Sequence, residues 1–346
     1  MAIVNKLAVQ NIRSHDKFSI RLSPTITVIT GNNGSGKTSL LEAIYIALQG
    51  KSFKGSDNDI LKHKSLWWRI SIGFDDHTKR SVTYNPELIT GRKKFIIDDK
   101  ITYRLPTKNK YPVVLFEPED LRLLNGSPTR RRQFIDNFIS QLDPLYSVAI
   151  RKYDRALKQR NNLLKKQFVN KDELFVWDVA LSEYGSYIIK ERIAFIERIN
   201  NKLNDEYNLI AKSKDYISVH YSHTYIGNIN QKLLNELNSH SQHDKITGFT
   251  STGPHRHDVI FQFNGSPAMD VASRGEVRSI VLALKFLEVD IIEQIVGQKP
   301  VILLDDVFSE LDDFRQNQLL VSDNQTIISS VKLPTICKKE VTVIKL

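Results

Sequence analysis

Over the first ~100 residues apolar and polar positions alternate in short runs, the period of half-buried strands. The runs cover Ile3 to Val9, Phe18 to Leu22, Thr25 to Thr30, Ile70 to Phe74 and Val82 to Tyr84. The third feeds a glycine-rich segment, after which Ser39 to Leu48 changes to helical spacing. From Pro144 the longer period takes over. Tyr146, Ile150, Tyr153, Leu157 and Leu164 recur three to four apart, with Lys and Arg between them. A second such stretch runs through Trp177, Leu181, Tyr184, Ile188, Ile196, Ile199 and Leu203, and Asp172 and Glu173 mark its start after a polar break. Two helices joined by a short link form an arm, each helix roughly 30–45 Å long at ~1.5 Å per residue. Strand patterns return at Tyr216 to Tyr221 and Val259 to Phe263, and no internal repeat is evident. The pattern predicts an α/β fold with a mixed sheet: a split head from residues 1–125 and 250–346, and a mainly helical arm from 126–249.

The glycine-rich segment is Gly31-Asn32-Asn33-Gly34-Ser35-Gly36-Lys37-Thr38, a G-x-x-x-x-G-K-[ST] loop between a strand and a helix. Its glycines let successive backbone N–H groups curl around phosphates, and the helix N-terminus that Ser39 continues adds partial positive charge. Lys37 is placed to reach the β- and γ-phosphates and Thr38 to ligate Mg²⁺. The expected cofactors are therefore ATP and Mg²⁺.

Two further elements complete that chemistry. Val301-Ile302-Leu303-Leu304 is a continuous apolar run, the mark of a buried parallel strand, and it delivers Asp305 and Asp306. Asp305 is the expected Mg²⁺ ligand, and Asp306 the group that orients or deprotonates the attacking water. Aspartate is one methylene shorter than glutamate in that role, so slow hydrolysis is expected. Upstream, Ser273-Arg274-Gly275-Glu276 heads a helical face of Val277, Ile280, Val281, Leu284 and Leu287. Ser273 and Glu276 form a capping box that any helix can use. Capping does not compete with function: a capped N-terminus with a serine and a glycine also suits a γ-phosphate arriving from outside its own loop.

The net charge of +10, with a sequence pI near 9.4, favours a polyanionic partner such as nucleic acid. Arg130-Arg131-Arg132, Lys165-Lys166, Lys51 with Lys54, and Lys62 with Lys64 are the candidate phosphate contacts. Trp67 and Trp68 read as core rather than as a base-stacking platform. His255 and Arg256 are open to a structural or a functional reading. Cys337 is the only cysteine, which excludes an internal disulfide. No stretch approaches the ~20 apolar residues of a membrane span, and no signal-peptide core is present, so a cytoplasmic protein without a membrane partner is expected.

These motifs resemble the RecF family of bacterial recombinational repair proteins, relatives of the SMC and ABC ATPases. Asn11-Ile12-Arg13 is similar to the family's early motif, in which the arginine approaches bound nucleotide. Phe116-Glu117-Pro118-Glu119-Asp120-Leu121, Gly126-Ser127-Pro128 and Arg131-Arg132-Gln133-Phe134-Ile135-Asp136 resemble its most specific stretch. Leu157-Lys158-Gln159-Arg160-Asn161 and Trp177-Asp178 look like its arm, and Thr252-Gly253-Pro254-His255-Arg256 like its later marker. Ser309-Glu310-Leu311-Asp312 is similar to the loop along the dimer seam of ABC-type heads.

The resemblance implies an ABC/SMC-like ATPase head whose Ser273 and Gly275 act on ATP held by a second copy. It implies a homodimer that forms on ATP, a slow DNA-stimulated ATPase, and action on single-stranded and gapped or junction double-stranded DNA in DNA repair, replication and the SOS response. RecR with RecO, and indirectly RecA, are the implied partners. Three departures stand out: Glu276 where ABC signatures carry Gln, His257 in place of an acid, and no histidine near Thr326 to Ser330. The last argues against the transporter-subunit alternative. A nucleotide-regulated scaffold without productive turnover stays open.

Overall fold

Alternation in the N-terminal third becomes one antiparallel sheet, and the continuous apolar runs become a second, parallel one. The computed structural model describes residues 3–166, 168, 170–320, 323–333 and 341–346. Cys337 and the side chain of Ser309 lie outside that description. The chain divides into two compact units, residues 1–120 with 288–346, and residues 121–287.

In the first unit β1 (Val4–Ile12), β2 (His15–Arg21), β4 (Trp68–Phe74), β5 (Lys79–Tyr84), β6 (Lys93–Ile97) and β7 (Lys100–Thr102) form the antiparallel sheet, in the order β2-β1-β4-β5-β6-β7. β3 (Ile26–Thr30), β8 (Val113–Phe116), β12 (Val301–Asp305), β13 (Thr326–Ser330) and β14 (Val341–Lys345) form the parallel sheet, ordered β14-β3-β13-β12-β8. Every residue of β3 and β12 is buried, as expected of strands covered on both faces. Parallel and antiparallel pairings thus sit in separate sheets.

Helix α1 (Lys37–Gln49) shares one core with both sheets: Leu40, Ile44 and Leu48 pack with Leu7, Ile70, Val82, Leu303 and Ile327. It ends at Gly50, whose left-handed φ of 83° lets its N–H reach Ile46 O. Buried Arg80 donates to Ala47 O and Asn109 O, both at 2.6 Å, satisfying a carbonyl in the last turn of α1. Trp68 is fully buried and donates to Asp57 O, whereas Trp67 is 41% exposed, because alternation turns it to the opposite side of the strand entry.

The second unit holds α2 (Pro128–Leu142), α3 (Pro144–Leu164), α4 (Lys171–Ala211), α5 (Ile229–Ser239), α6 (Ser241–Thr247), α7 (Ala268–Val271), and an antiparallel sheet of β9 (Ile217–Tyr221), β10 (Val259–Phe263) and β11 (Ser266–Pro267). Its last helix, α8 (Arg274–Val296), contains the unit boundary. The expected borders fell at 125/126 and 249/250. The compact unit extends to 287 because β10 pairs along its length with β9, tying the 250s to the arm.

The first arm helix matches its expected length, but the second corrects it. Forty-one residues make α4 about 62 Å long at ~1.5 Å per residue, since its buried face continues past Leu203 to Tyr207 and Ile210. The arm markers also gain a physical reason. Arg160, fully buried on α3, donates to Asp178 of α4 and to Asp244, each at 2.6 Å, and to Thr250 at 2.9 Å. A buried guanidinium needs such partners, and removing one leaves an uncompensated charge.

Candidate nucleotide site

Strand register in the parallel sheet builds the site. Asp305 lies opposite Ser329, and Ser330 opposite Thr30, so three strands end at one edge. In parallel α/β sheets this carboxyl edge is where ligands bind. From it emerge the phosphate loop, the acidic pair, and the two serines that close β13.

The loop is held open by its glycines at two points that matter. Gly36 has φ 95°, and a Cβ there would sit 2.3 Å from His15 Nε2 and 2.4 Å from Ser14 Oγ. At Gly31 a Cβ would meet Ser35 Oγ at 2.7 Å and Leu346, just past β14, at 3.1 Å, so a side chain there would have to displace the loop serine and crowd the chain end. Lys37 is 4% exposed, and its ammonium donates to Gly31 O at 2.9 Å and Asn32 O at 3.1 Å, which centres the charge within the loop. Ser35 Oγ is buried without a hydrogen-bond partner among the described residues, a donor that a phosphate oxygen would satisfy. Gly34, at φ 83°, has open space where a Cβ would be. Ser39, 5% exposed, is buried in α1.

Thr38 Oγ1 donates to Asp305 Oδ1 at 2.7 Å across 267 residues of sequence, bringing the two expected metal ligands together. Asp305 is 2% exposed and also accepts from Ser329 Oγ at 2.7 Å, while Lys54 Nζ stands 3.2 Å from its Oδ2. An all-oxygen set of hydroxyl and carboxylate suits Mg²⁺, which completes its shell with waters and nucleotide phosphates. Ser329 accepts in turn from the Asp306 N–H at 3.0 Å, fixing the residue in a left-handed conformation, φ 52°. Such a φ is uncommon for a residue with a Cβ, and it aims Asp306 away from the strand direction. Burial pushes the Asp306 carboxyl up from the ordinary carboxylate range, with Asp305 adding to the rise and Lys37 and Lys54 opposing it. Asn33, Asp306, Glu310, Gln316 and Ser330 line a cavity of about 610 Å³ beside the loop.

Arg13 sits in the β1–β2 turn with φ 45°, and its guanidinium pairs with buried Glu42 at 2.8 Å. Glu42 lies one helical turn beyond Thr38 and also accepts from the Ser52 hydroxyl. No motif in the sequence marks Glu42 or Ser329 for this site. Lys54 entered as a candidate DNA contact, yet it faces the acidic pair.

Ser273 and Gly275 lie in the second unit, at the exposed start of the 23-residue α8. The capping box is formed: Ser273 N–H donates to Glu276 Oε2 at 2.6 Å, and Glu276 N–H to Ser273 Oγ at 3.4 Å.

Several expected DNA contacts are committed elsewhere. Arg131 is 7% exposed, donates bidentately to Asp258 at 2.9 and 2.7 Å, and also caps Leu124 O and Gly126 O. Arg132 donates to His257 O at 2.6 Å, and Lys62 pairs with Asp16 at 2.6 Å. Arg130 is half-buried and partnered. Lys165 and Lys166 are exposed, with the Lys165 ammonium 4.4 Å from the Phe249 ring centre.

The later marker serves packing. Tyr153 OH and His255 Nδ1 are 2.7 Å apart, and Arg256 donates to Thr250 O at 3.0 Å. His257 is 1% exposed, bonded to Tyr221 OH at 2.8 Å and stacked on His223 at 3.8 Å. Burial drives the His257 ring down to about 3 and His255 down to about 4. The unfolded chain therefore binds more protons below about pH 6.5, and stability is lost as pH falls through that window, by up to ~1.4 kcal/mol per pH unit per ring. Urea unfolding between about pH 7 and pH 5 should show this slope. His257→Gln should reduce it by about one proton, and an unchanged slope would refute the assignment.

A family model described as an AAA domain matches residues 6–250. DNA replication and repair protein RecF of Lachnoclostridium phytofermentans is 36% identical over 341 residues, covering 96% of this chain and 93% of that protein. The protein of the same name from Clostridium acetobutylicum is 34% identical, covering 92% and 89%. A solved structure of the recombination mediator protein RecF-ATP in the RecFOR pathway matches with TM-score 0.87 at 29% identity, over 97% of this chain and 94% of that one. An Smc head domain from Pyrococcus furiosus, 16% identical with TM-score 0.52 over 96% and 90%, shares the fold. Among the described residues no helix is long and apolar enough to cross a membrane. Similarity of this extent runs through both compact units, and the chain belongs to the RecF family of DNA replication and repair proteins.

Proposed function

We propose that this protein is an ATP-driven DNA clamp: ATP closes two copies on each other over DNA, and slow hydrolysis releases them. The contact of Thr38 with Asp305 carries the reading, because it joins loop and acid into one phosphate and magnesium site. Lys37 and the loop N–H groups bind the β- and γ-phosphates. Thr38 and Asp305 would hold Mg²⁺, which would neutralise phosphate charge when bound. Asp306 takes the proton of the water that attacks the γ-phosphorus as ADP leaves. Its short reach and the absence of a histidine on β13 keep turnover slow without partners.

Ser273 and Gly275, exposed on a helix N-terminus, supply γ-phosphate contacts to the partner copy. By its family the clamp acts on single-stranded and gapped or junction DNA, working with RecR and RecO to load RecA, and DNA stimulates its ATPase. The solved relatives described with ATP and in the RecFOR pathway support this reading.

Sedimentation velocity tests it directly. The wild type should be monomeric alone and with ADP, and dimeric with ATP and Mg²⁺. Asp306→Asn should leave a dimer that persists after the time in which the wild type has returned to monomer. A monomer under all conditions, with DNA present or absent, would remove the clamp. An Asp306→Asn dimer no longer-lived than the parent's would favour a scaffold that does not use turnover.

A further inference from the structure

The antiparallel sheet of the first unit has one face in the core and one in solvent, and the solvent face has a charge pattern that the linear sequence hides. Leu7, Val9, Ile70, Ile72, Val82 and Phe95 face inward. Cross-strand register assembles the outward positions into three rows. Lys6 stands opposite Arg21 on one side and Gly73 on the other, and Gly73 opposite Lys79, giving one row across β2, β1, β4 and β5. Gln10 stands between Lys17 and Arg69, Arg69 opposite Thr83, and Thr83 opposite Lys94, giving a second row that reaches β6. Between them runs a row of small side chains, Ser19, Ala8, Ser71 and Ser81.

Two cationic rows therefore border a low polar floor. They lie four residues apart, ~13 Å, and the longer spans four strand spacings, ~19 Å. The floor and its cationic borders Lys6, Arg69 and Lys79 enclose a cavity of about 890 Å³. Lys6, Lys17, Arg21, Arg69 and Lys79 are exposed and Lys94 half-buried, and no ion pair among the described residues engages any of the six. Asp98 and Asp99 are the only acids lining that cavity, close to its Lys79 corner.

We infer that this face is a docking surface for the phosphate backbone of double-stranded nucleic acid. The inference rests on the clamp reading and adds to it the surface that the DNA touches. Unpaired cations in rows match a polyphosphate, and their contacts need no sequence. A single strand is held by stacking its bases on aromatic rings, and a protein by buried aromatic and aliphatic anchors. The floor offers no exposed anchor of either kind between its cationic rows: Ile72 and Phe74 line the cavity but are buried, His77 stands in the β4–β5 turn, and Ile96 and Ile101 stand at the β6–β7 margin. The small residues let a backbone approach, and the long Lys and Arg side chains reach phosphates on either side.

The test compares Lys17→Glu/Arg69→Glu/Lys94→Glu with a charge-matched control, Lys202→Glu/Lys214→Glu/Lys232→Glu, on exposed arm positions. Binding of a fluorescent blunt duplex is titrated with ATP and Mg²⁺ over a range of salt. The first triple should lose at least ~10-fold in affinity near ~0.1 M salt, and its slope of log affinity against log salt should flatten by about three. The control should lose less than ~2-fold, and ATP-dependent dimerisation should survive in both. Equal losses would assign the effect to net charge, and no loss in the first triple would remove DNA from this face; either overturns the surface but spares the clamp. A wild type that binds no duplex under any nucleotide overturns both. If the glutamate triple does not fold, the neutral Lys17→Gln/Arg69→Gln/Lys94→Gln triple should still flatten the slope by about three.

Discussion

Lys37→Ala is expected to lower ATP affinity at least ~100-fold, because each charge-assisted contact to a phosphate is worth about 1.5–3 kcal/mol and this ammonium makes more than one. Its stem is buried and its ammonium already lies among the loop carbonyls, so no neighbouring cation can take its place by a change of rotamer. Lys54, the other ammonium near the acidic pair, is engaged with Asp305. The readout is thermal: at ATP one hundred times its dissociation constant the parent gains ~2.7 kcal/mol, and the variant should gain almost nothing. The variant's own melting temperature should stay within a few degrees of the parent's, since the core beneath α1 is apolar and untouched. A Lys37→Ala protein still stabilised by ATP to the parental extent would mean that nucleotide binds elsewhere, and the site would have to be abandoned.

What the sequence reveals of this site depends on how far apart its parts lie. The phosphate loop is eight consecutive residues, the acidic pair ends a single apolar run, and the capping box spans one helical turn. All three are local, and all three form. Ser329 acts on Asp305 only because β13 pairs with β12 in one register, a relation that no spacing within either strand contains. Lys54 and Glu42 likewise owe their partners to tertiary packing. Charge misleads in the opposite direction. Consecutive residues on a helix point ~100° apart, so the arginines at 130–132 diverge and Arg131 enters the interior. On a strand it is positions two apart that share a face, so the basic face of the antiparallel sheet is gathered from separated positions between Lys6 and Lys94, and where cations are consecutive the neighbour is spent elsewhere, Arg80 beside Lys79 on Ala47 O and Lys93 beside Lys94 on Asp57.

Ser273→Arg should separate nucleotide binding from closure. The substitution removes a cap, costing about 1 kcal/mol, and places a cation at a helix N-terminus, which adds a further ~0.3–1 kcal/mol. The α8 face behind it, Val277, Ile280, Val281 and Leu284, is buried and holds the helix in place, so the fold should survive. Affinity for ATP should change less than ~2-fold, since the loop and the acidic pair lie in the other compact unit. On the clamp proposal the ATP-dependent dimer should disappear, because a bulky side chain would stand where that proposal places a small hydroxyl on the partner's γ-phosphate.

Ser273→Ala is the companion variant. It loses the same cap without adding bulk or charge, and should weaken the dimer while leaving it detectable. If Ser273→Arg dimerises like the parent, the helix start is a cap and nothing more, and any dimer must close through another surface. If Ser273→Ala proves as defective as Ser273→Arg, the hydroxyl itself, rather than the space around it, is what closure requires.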